Sequence, residues 1–155
     1  MSEEEARGKR VREMVATVRD ALGLDGEVQV NAEDSGVRVV LEGDDLGLFI
    51  GRHGQTIDAV QHLAFKVANR DTERDAAIRV TVDAAGYRAR REQLLHRQAE
   101  QAAEKATRNG RPVALDAMSA SERKVVHEFL KDRDDVETYS EGTEPDRHLV
   151  VAPLG

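Results

Sequence analysis

With 155 residues, the chain is long enough for one ordinary domain or two small ones. A composition of 39% hydrophobic but only 3% aromatic residues predicts a core of Val, Leu, Ile and Ala, and the lack of Cys excludes disulfides and sulfur-ligated metals. The formal charge of −7 argues against a partner held by a global positive field. No apolar run approaches the roughly 18 residues of a membrane span, and the acidic start is unlike a secretory signal. We therefore expect a cytoplasmic protein without membrane insertion.

The first predicted element is a helix that ends near Gly23. Its apolar residues follow the spacing of one buried helical face: Val11, Met14, Val15, Val18 and Leu22. Since nothing apolar holds the residues before this pattern, residues 1–9 are expected to form a flexible N-terminus.

Alternating apolar residues then predict a hairpin with its turn at Asp34-Ser35-Gly36. A short helix after Gly43 and a longer one from about Gln55 are expected next, followed by a strand around Val80. A single three-stranded sheet covered by helices would bury every apolar face of these elements. We therefore expect an α+β domain over residues 10–85.

A short loop between the two middle helices begins and ends with glycine. Gly51 and Gly54 enclose Arg52 and His53. Glycine lets another backbone come close, and the N–H groups at the start of the next helix suit a phosphate. The loop therefore predicts an anion cradle, while a plain tight turn is the alternative interpretation.

The second half begins with a long Arg-rich helix over residues 86–109, which ends at Asn109-Gly110. Residues 86–111 hold 7 Lys and Arg against 3 Asp and Glu, whereas residues 1–85 hold 11 against 17. The basic charge is therefore local. This helix is either part of a binding surface or a solvated connection between two lobes.

A shorter helix begins after Ser119 and continues to about Lys131. Ser119 and Glu122 have the spacing of a capping box. One side of the helix is apolar, and the other carries a basic strip made of Arg123, Lys124, His127 and Lys131. Two closing strands follow, so we expect a small second α+β domain over residues 86–155.

The segment Ile50-Gly51-Arg52-His53-Gly54-x-x-Ile57, in this order of elements, resembles a KH domain of the bacterial type (type II). In that family a Gly-x-x-Gly loop contacts the backbone of about four nucleotides, and an apolar groove beside it receives the bases. The resemblance implies a clamp at residues 51–54, with Arg52 and His53 directed towards phosphate. It also implies contacts by Gln55 and a groove walled by Ile50, Ile57 and a residue of the third strand.

Residues 119–127, 136–142 and 145–147 are similar to the R-3-H domain, a single-stranded nucleic-acid-binding module named for an Arg and a His. Arg123 and His127 match that pair, with Lys124 and Arg147 beside them. A KH domain followed directly by this module resembles the bacterial Jag family, also called KhpB, the SpoIIIJ-associated protein. The family often carries a further N-terminal Jag domain, for which we expect no room in this chain.

The resemblance implies binding of single-stranded RNA, leaves single-stranded DNA open, and implies neither a cofactor nor a metal. It further implies a post-transcriptional regulator or RNA chaperone linked to cell envelope, elongation or sporulation control, with a small KH protein as a partner. An adaptor that docks another protein, with a structural glycine loop, is the alternative. We expect no enzyme, because the 5 histidines do not fall at His-Glu-x-x-His spacing.

Overall fold

The computed structural model describes every residue from Met1 to Gly155. The chain divides into two compact units, Met1–Arg88 and Ala89–Gly155. The helices are α1 (Glu3–Ala21), α2 (Gly47–Ile50), α3 (Gln55–Ala68), α4 (Tyr87–Asn109) and α5 (Ala120–Leu130). The strands are β1 (Glu27–Glu33), β2 (Gly36–Glu42), β3 (Arg79–Ala84), β4 (Val113–Ala114), β5 (Val136–Glu141) and β6 (His148–Pro153). None of these helices combines the length and the apolar character that a membrane crossing requires.

The first unit has the predicted order of helix, strand, strand, helix, helix and strand. Strands β1 and β2 form the predicted antiparallel hairpin, with Val30 opposite Val39. Strand β3 pairs with β2 in parallel, with Val82 opposite Val39, so the sheet order is β1-β2-β3. A parallel pair requires a crossover connection, and α2, the glycine loop and α3 all lie on it. The predicted three-stranded α+β fold is confirmed.

The core of the first unit is aliphatic, as the composition predicts. Burial of each such side chain stabilises the folded state by about 1.5–3 kcal/mol. Helices α1 and α3 pack on the sheet through side chains that have no exposed surface, among them Val11, Val15, Val39, Leu41, Phe49, Ile57 and Val82. This core fixes α3 and therefore the position of the glycine loop that precedes it.

The start of the chain corrects the expectation of a flexible N-terminus at residues 1–9. Helix α1 begins at Glu3, and Ser2 caps it: its hydroxyl accepts from the Glu5 N–H at 3.1 Å, while the Glu5 carboxylate accepts from the Ser2 N–H at 2.7 Å. Arg7 is buried and donates to Glu3 at 2.6 Å and to Thr72 at 2.9 Å. Polar contacts, which hydrophobic periodicity does not reflect, therefore extend α1 back to Glu3.

The second unit combines two helices with an antiparallel sheet of order β4-β6-β5. Its core is formed by Leu95, Ala99, Ala103, Val126, Leu130, Leu149 and Val151, among others. The apolar side of α5 predicts Phe129 in this core, but Phe129 is 41% exposed and stacks on His96 with ring centroids 4.2 Å apart. The second unit is also α+β, as predicted.

The start of α5 carries only half of the predicted capping box. The Ser119 hydroxyl accepts from the Glu122 N–H at 3.3 Å. The Glu122 carboxylate, however, accepts from Arg91 of α4 at 2.8 and 3.2 Å. Because a guanidinium offers two charged donors to one carboxylate, Glu122 ties α5 to α4 instead of completing its own cap.

Candidate nucleic-acid interface

The glycine loop (residues 51–54) has a backbone that requires glycine at both ends. Gly51 has φ 74° and Gly54 has φ 78°, in a region that other residues rarely adopt. A Cβ atom at Gly51 would lie 2.8 Å from the amide nitrogen of Thr56, and one at Gly54 would lie 2.7 Å from the hydroxyl oxygen of Tyr87. Both the conformation and the available space therefore favour glycine at these positions.

The two residues inside the loop point their side chains to solvent. They belong to a short 3-10 turn, Arg52–Gly54, in which His53 has the left-handed φ of 53°. Such a conformation costs a non-glycine residue about 1–2 kcal/mol, and strain of this kind clusters at ligand sites. The side chains of Arg52 and His53 are exposed and make no hydrogen bond or ion pair within the chain. Both are accessible to an external anion.

Helix α3 begins directly after the loop, with Gly54 as its N-cap. No side chain caps the first turn, and Gln55 is exposed there. The N–H groups of Gly54 and Gln55 donate to the carbonyl oxygens of Gly51 and Arg52, so the positive end of the helix dipole is what favours a bound anion beside the loop. The structure therefore brings Gly51, Arg52, His53, Gly54 and Gln55 together at one helix start.

The predicted apolar groove beside this loop needs correction. Ile57 has no exposed surface, because it lies on the inward stripe of α3, and the apolar residues of β3 are buried in the same core. Ile50 is half-buried. Leu48 of α2, in contrast, is 64% exposed. Sequence reasoning missed it as a candidate base contact, because periodicity does not separate two faces in a helix of 4 residues.

In the second unit, Arg123 is not part of an exposed strip. The residue is only 8% exposed. Its Nη1 donates to the carbonyl oxygens of Met118 at 2.6 Å and Arg147 at 3.4 Å, and its Nη2 pairs with Glu144 at 2.8 Å. The prediction of a solvent-facing Arg123 is therefore wrong. Its side chain instead anchors the loop between β5 and β6 to α5.

The other basic residues of this unit remain accessible. Lys124 and His127 are exposed on α5, and the Nδ1 of His127 lies 2.5 Å from the hydroxyl of Thr138 on β5. Arg147 is half-buried, and its Nη1 donates to the carbonyl oxygen of Gly142 at 2.7 Å. Contacts with β5 and with the loop after it therefore orient His127 and Arg147.

An open pocket of about 430 Å³ joins these residues. Four of the five predicted basic residues contribute to its lining, and Lys131 does not. The lining consists of Ala120, Arg123, Lys124, His127, Thr138, Tyr139, Ser140, Arg147 and Leu149. Tyr139 is 44% exposed and was not singled out from the sequence. The alternation along β5 is the signal that could have found it, because it turns Tyr139 away from the buried Val136. The pocket therefore gathers basic side chains beside a strand that also carries an exposed tyrosine.

Lys131, at the end of the strip, has its charge offset by a neighbour. Its Nζ donates to Glu128 at 2.7 Å. This hydrogen bond raises the pKa of Lys131 and lowers the pKa of Glu128. Both groups are therefore charged at neutral pH, and the cationic part of the surface centres on Lys124 and Arg147.

The glycine loop of the first unit and the pocket of the second unit both offer groups for non-covalent binding. They present exposed cationic side chains, a helix start without a side-chain cap, and accessible apolar or aromatic side chains, which suit a flexible anionic polymer with apolar faces. The structure places no three or more His, Cys, Asp or Glu side chains together as metal ligands.

Comparison with known families agrees with this arrangement. The family model "KhpA/KhpB, KH domain" matches residues 9–83, and the model of the R-3-H domain matches residues 93–153. The glycine loop lies within the first match, and the pocket lies within the second.

Curated relatives carry both regions. The chain is 37% identical to the RNA-binding protein KhpB of Clostridium symbiosum, in an alignment that covers 90% of this chain and 63% of that protein. It is 35% identical to KhpB of Lactiplantibacillus plantarum, covering 90% of this chain and 42% of the relative, and 32% identical to KhpB of Bacillus subtilis, covering 88% and 65%. The chain thus spans less than two thirds of the length of each of these relatives.

Fold, site geometry and family matches together define a tandem of a type II KH domain and an R-3-H domain. The chain belongs to the KhpB family. The family predicted from the glycine loop and from the Arg and His of α5 is confirmed.

Proposed function

We propose that this chain binds single-stranded RNA, with the glycine loop clamping the sugar-phosphate backbone and the pocket of the second unit holding a further stretch. The observation that carries this proposal is the glycine loop itself. It presents two accessible basic-type side chains, Arg52 and His53, at an uncapped helix start. The curated relatives that share this region are named RNA-binding proteins.

The charge of the protein limits how it can bind. The first unit holds 12 Lys and Arg against 17 Asp and Glu, and the second unit holds 11 against 13. Neither unit attracts nucleic acid by its net charge, so binding must depend on a few local contacts. If Arg52, Lys124 and Arg147 each neutralise a phosphate, the log of affinity falls with the log of salt with a slope of about −2 for a single strand.

The second pocket adds a contact that the glycine loop lacks. Tyr139 is exposed on β5 at the border of the pocket that holds Lys124 and His127, so a strand whose phosphate meets the cations can continue past the edge of β5 and stack a base on the tyrosine ring. Stacking on an aromatic side chain contributes about 1–3 kcal/mol per base. The two modules thereby supply modest individual affinities that multiply when both engage one strand.

The proposed role is that of a cytoplasmic post-transcriptional regulator or RNA chaperone linked to cell envelope, elongation or sporulation control. A small KH protein is the proposed partner, since the matching family model describes KH domains of both KhpA and KhpB. Binding without catalysis is sufficient for such a role.

The test is the affinity of the purified chain for a fluorescently labelled oligouridylate, measured by anisotropy at several salt concentrations. We expect Arg52→Asp with His53→Asp to lose at least about tenfold in affinity, because two accessible groups are replaced by like charges facing phosphate. We expect Lys124→Ala with His127→Ala to lose less and to flatten the salt dependence by about 0.7 for the one fixed positive charge removed.

A matched control is Lys9→Asp, since Lys9 is also an exposed cation of the first unit but lies on α1. It should bind as the wild type does. Circular dichroism should show all variants folded. Wild-type affinity in the Arg52/His53 double variant would refute the clamp.

An adaptor role is the second candidate, and one observation favours it. Leu48, Leu63 and Phe65 of the first unit are 64%, 53% and 39% exposed. Large exposed apolar side chains are typical of protein-binding surfaces when they are contiguous. The deciding comparison uses two double variants. If Arg52→Asp with His53→Asp binds RNA as the wild type does, while Leu48→Ser with Leu63→Ser no longer binds a protein that the wild type binds, the adaptor interpretation replaces the RNA-clamp proposal.

A further inference from the structure

The first two residues of α4, which are the last two of the first unit, lie directly behind the glycine loop. Helix α4 starts at Tyr87, and the Tyr87 ring packs on Gly54: a Cβ added to that glycine would lie 2.7 Å from the Tyr87 hydroxyl oxygen and 2.8 Å from its Cε1. Gly54 is buried by this contact and others. The left-handed glycine that ends the loop is therefore held by an aromatic ring more than thirty positions later in the chain.

Arg88, the residue after Tyr87, connects the first turn of α4 to α3 through hydrogen bonds. Arg88 donates from Nη1 to the carboxylate of Asp58 at 3.0 Å and from Nη2 to Gln61 at 3.0 Å. Its Nε donates to the carbonyl oxygen of Val82 at 2.8 Å, and its backbone N–H donates to Asp83 at 3.2 Å. These four bonds fix Arg88 between the end of β3 and the helix that the glycine loop opens.

Asp58 lies in the first turn of α3, near the proposed phosphate position. A carboxylate at that point repels a bound phosphate, and the paired guanidinium of Arg88 offsets its charge. Tyr87 fixes the shape of the loop while Arg88 neutralises the acidic residue beside it.

We infer that Tyr87 and Arg88 are positioning residues of the clamp, so that the first turn of α4 is a functional part of the nucleic-acid site. This inference rests on the proposed RNA-binding function. It adds two residues that lie outside the matched KH region, which ends at residue 83, and that touch no nucleic acid themselves.

The experiment measures oligouridylate affinity of full-length Tyr87→Leu, Tyr87→Phe and Arg88→Gln. Tyr87→Leu and Arg88→Gln should each lose about tenfold, the equivalent of one charge-assisted hydrogen bond no longer positioned. Tyr87→Phe keeps the ring and should recover most of the affinity lost in Tyr87→Leu.

Leu22→Ala is the structural control, since Leu22 packs on the same core from the end of α1. It should lower the melting temperature without changing affinity at a temperature where the chain is folded. A loss of affinity in Leu22→Ala as large as that in Tyr87→Leu would reduce the role of Tyr87 to general stability and overturn the inference.

A double-mutant cycle separates positioning from every other cause. In the background of Arg52→Asp with His53→Asp, Tyr87→Leu should cause no further loss beyond about twofold, because the contact that it positions is already gone. An equal loss in both backgrounds overturns the inference. If Arg52→Asp with His53→Asp binds poorly but Tyr87→Leu and Arg88→Gln bind normally, only the inference about α4 fails. If Arg52→Asp with His53→Asp binds normally, both the inference and the proposed function fail.

Discussion

Replacing Gly54 by alanine tests how tightly the glycine loop packs against Tyr87. Gly54 has φ 78°, and a left-handed conformation costs an L-residue about 1–2 kcal/mol. The added methyl group would also lie 2.7 Å from the hydroxyl of Tyr87 and 2.8 Å from its ring. Overpacking of this kind costs a further amount of about 1–3 kcal/mol. We therefore expect Gly54→Ala to lower the free energy of unfolding by about 2–5 kcal/mol.

Gly23 provides a matched control within the same compact unit. It has φ 68°, but a Cβ there would meet no atom within 4 Å. Gly23→Ala should therefore carry only the conformational cost of about 1–2 kcal/mol. The difference between the two variants isolates the contact between Gly54 and Tyr87.

Urea unfolding followed by circular dichroism measures both variants on the same transition. In a Tyr87→Ala background, where the ring is absent, the cost of Gly54→Ala should fall to that of Gly23→Ala. Equal losses for the two glycine variants in the wild-type background would refute the packing argument. An unchanged cost of Gly54→Ala after removal of the ring would refute it as well.

Two further predictions concern the second unit. Arg123→Ala should lower both the melting temperature and the RNA affinity, because it leaves the carbonyl oxygen of Met118 unpaired at a cost of about 1–3 kcal/mol. Lys124→Ala should lower affinity alone, so equal melting temperatures for the two variants would contradict the buried role of Arg123. Asp135 accepts from Arg133 at 2.9 and 2.7 Å, and this hydrogen bond lowers the pKa of Asp135. A depressed folded-state pKa stabilises the protein above the unfolded value and loses that effect as pH falls through the folded value, so the melting-temperature difference between wild type and Asp135→Asn should be constant near neutral pH and shrink below about pH 4. If the melting-temperature difference between wild type and Asp135→Asn instead grows as the pH is lowered, the Arg133 hydrogen bond does not stabilise the ionised Asp135.

Local pattern was sufficient for the order of elements. The alternation through Val28 and Val39 predicts the hairpin, and the helical stripe through Ile57 predicts α3, because each period reflects the side chains that one face must bury. The glycine loop was identifiable for a similar reason. Two glycines at this spacing before a helical stripe indicate a tight backbone turn at a helix start. The positive φ values of Gly51 and Gly54 are those that such a turn requires.

Pattern was insufficient where a side chain is long or polar. Arg123 has the position of a solvent-facing residue on a helical wheel, but its guanidinium folds back onto Met118, Glu144 and the carbonyl of Arg147. Two of these partners are more than twenty positions away, so no local window contains them. Hydrophobic periodicity also gives no information on Ser2 and Arg7, whose polar contacts hold the start of α1 in place.

The sequence by itself determined the family, the α+β class and the place of the glycine loop, because these depend on residue types at short, regular spacings. Only the tertiary structure decided which of the candidate residues face solvent. It removed Ile57 and Arg123 from the accessible surface, added Leu48 and Tyr139, and placed Tyr87 behind Gly54. The physical reason is that accessibility is set by contacts between residues distant in the chain, which periodicity does not describe.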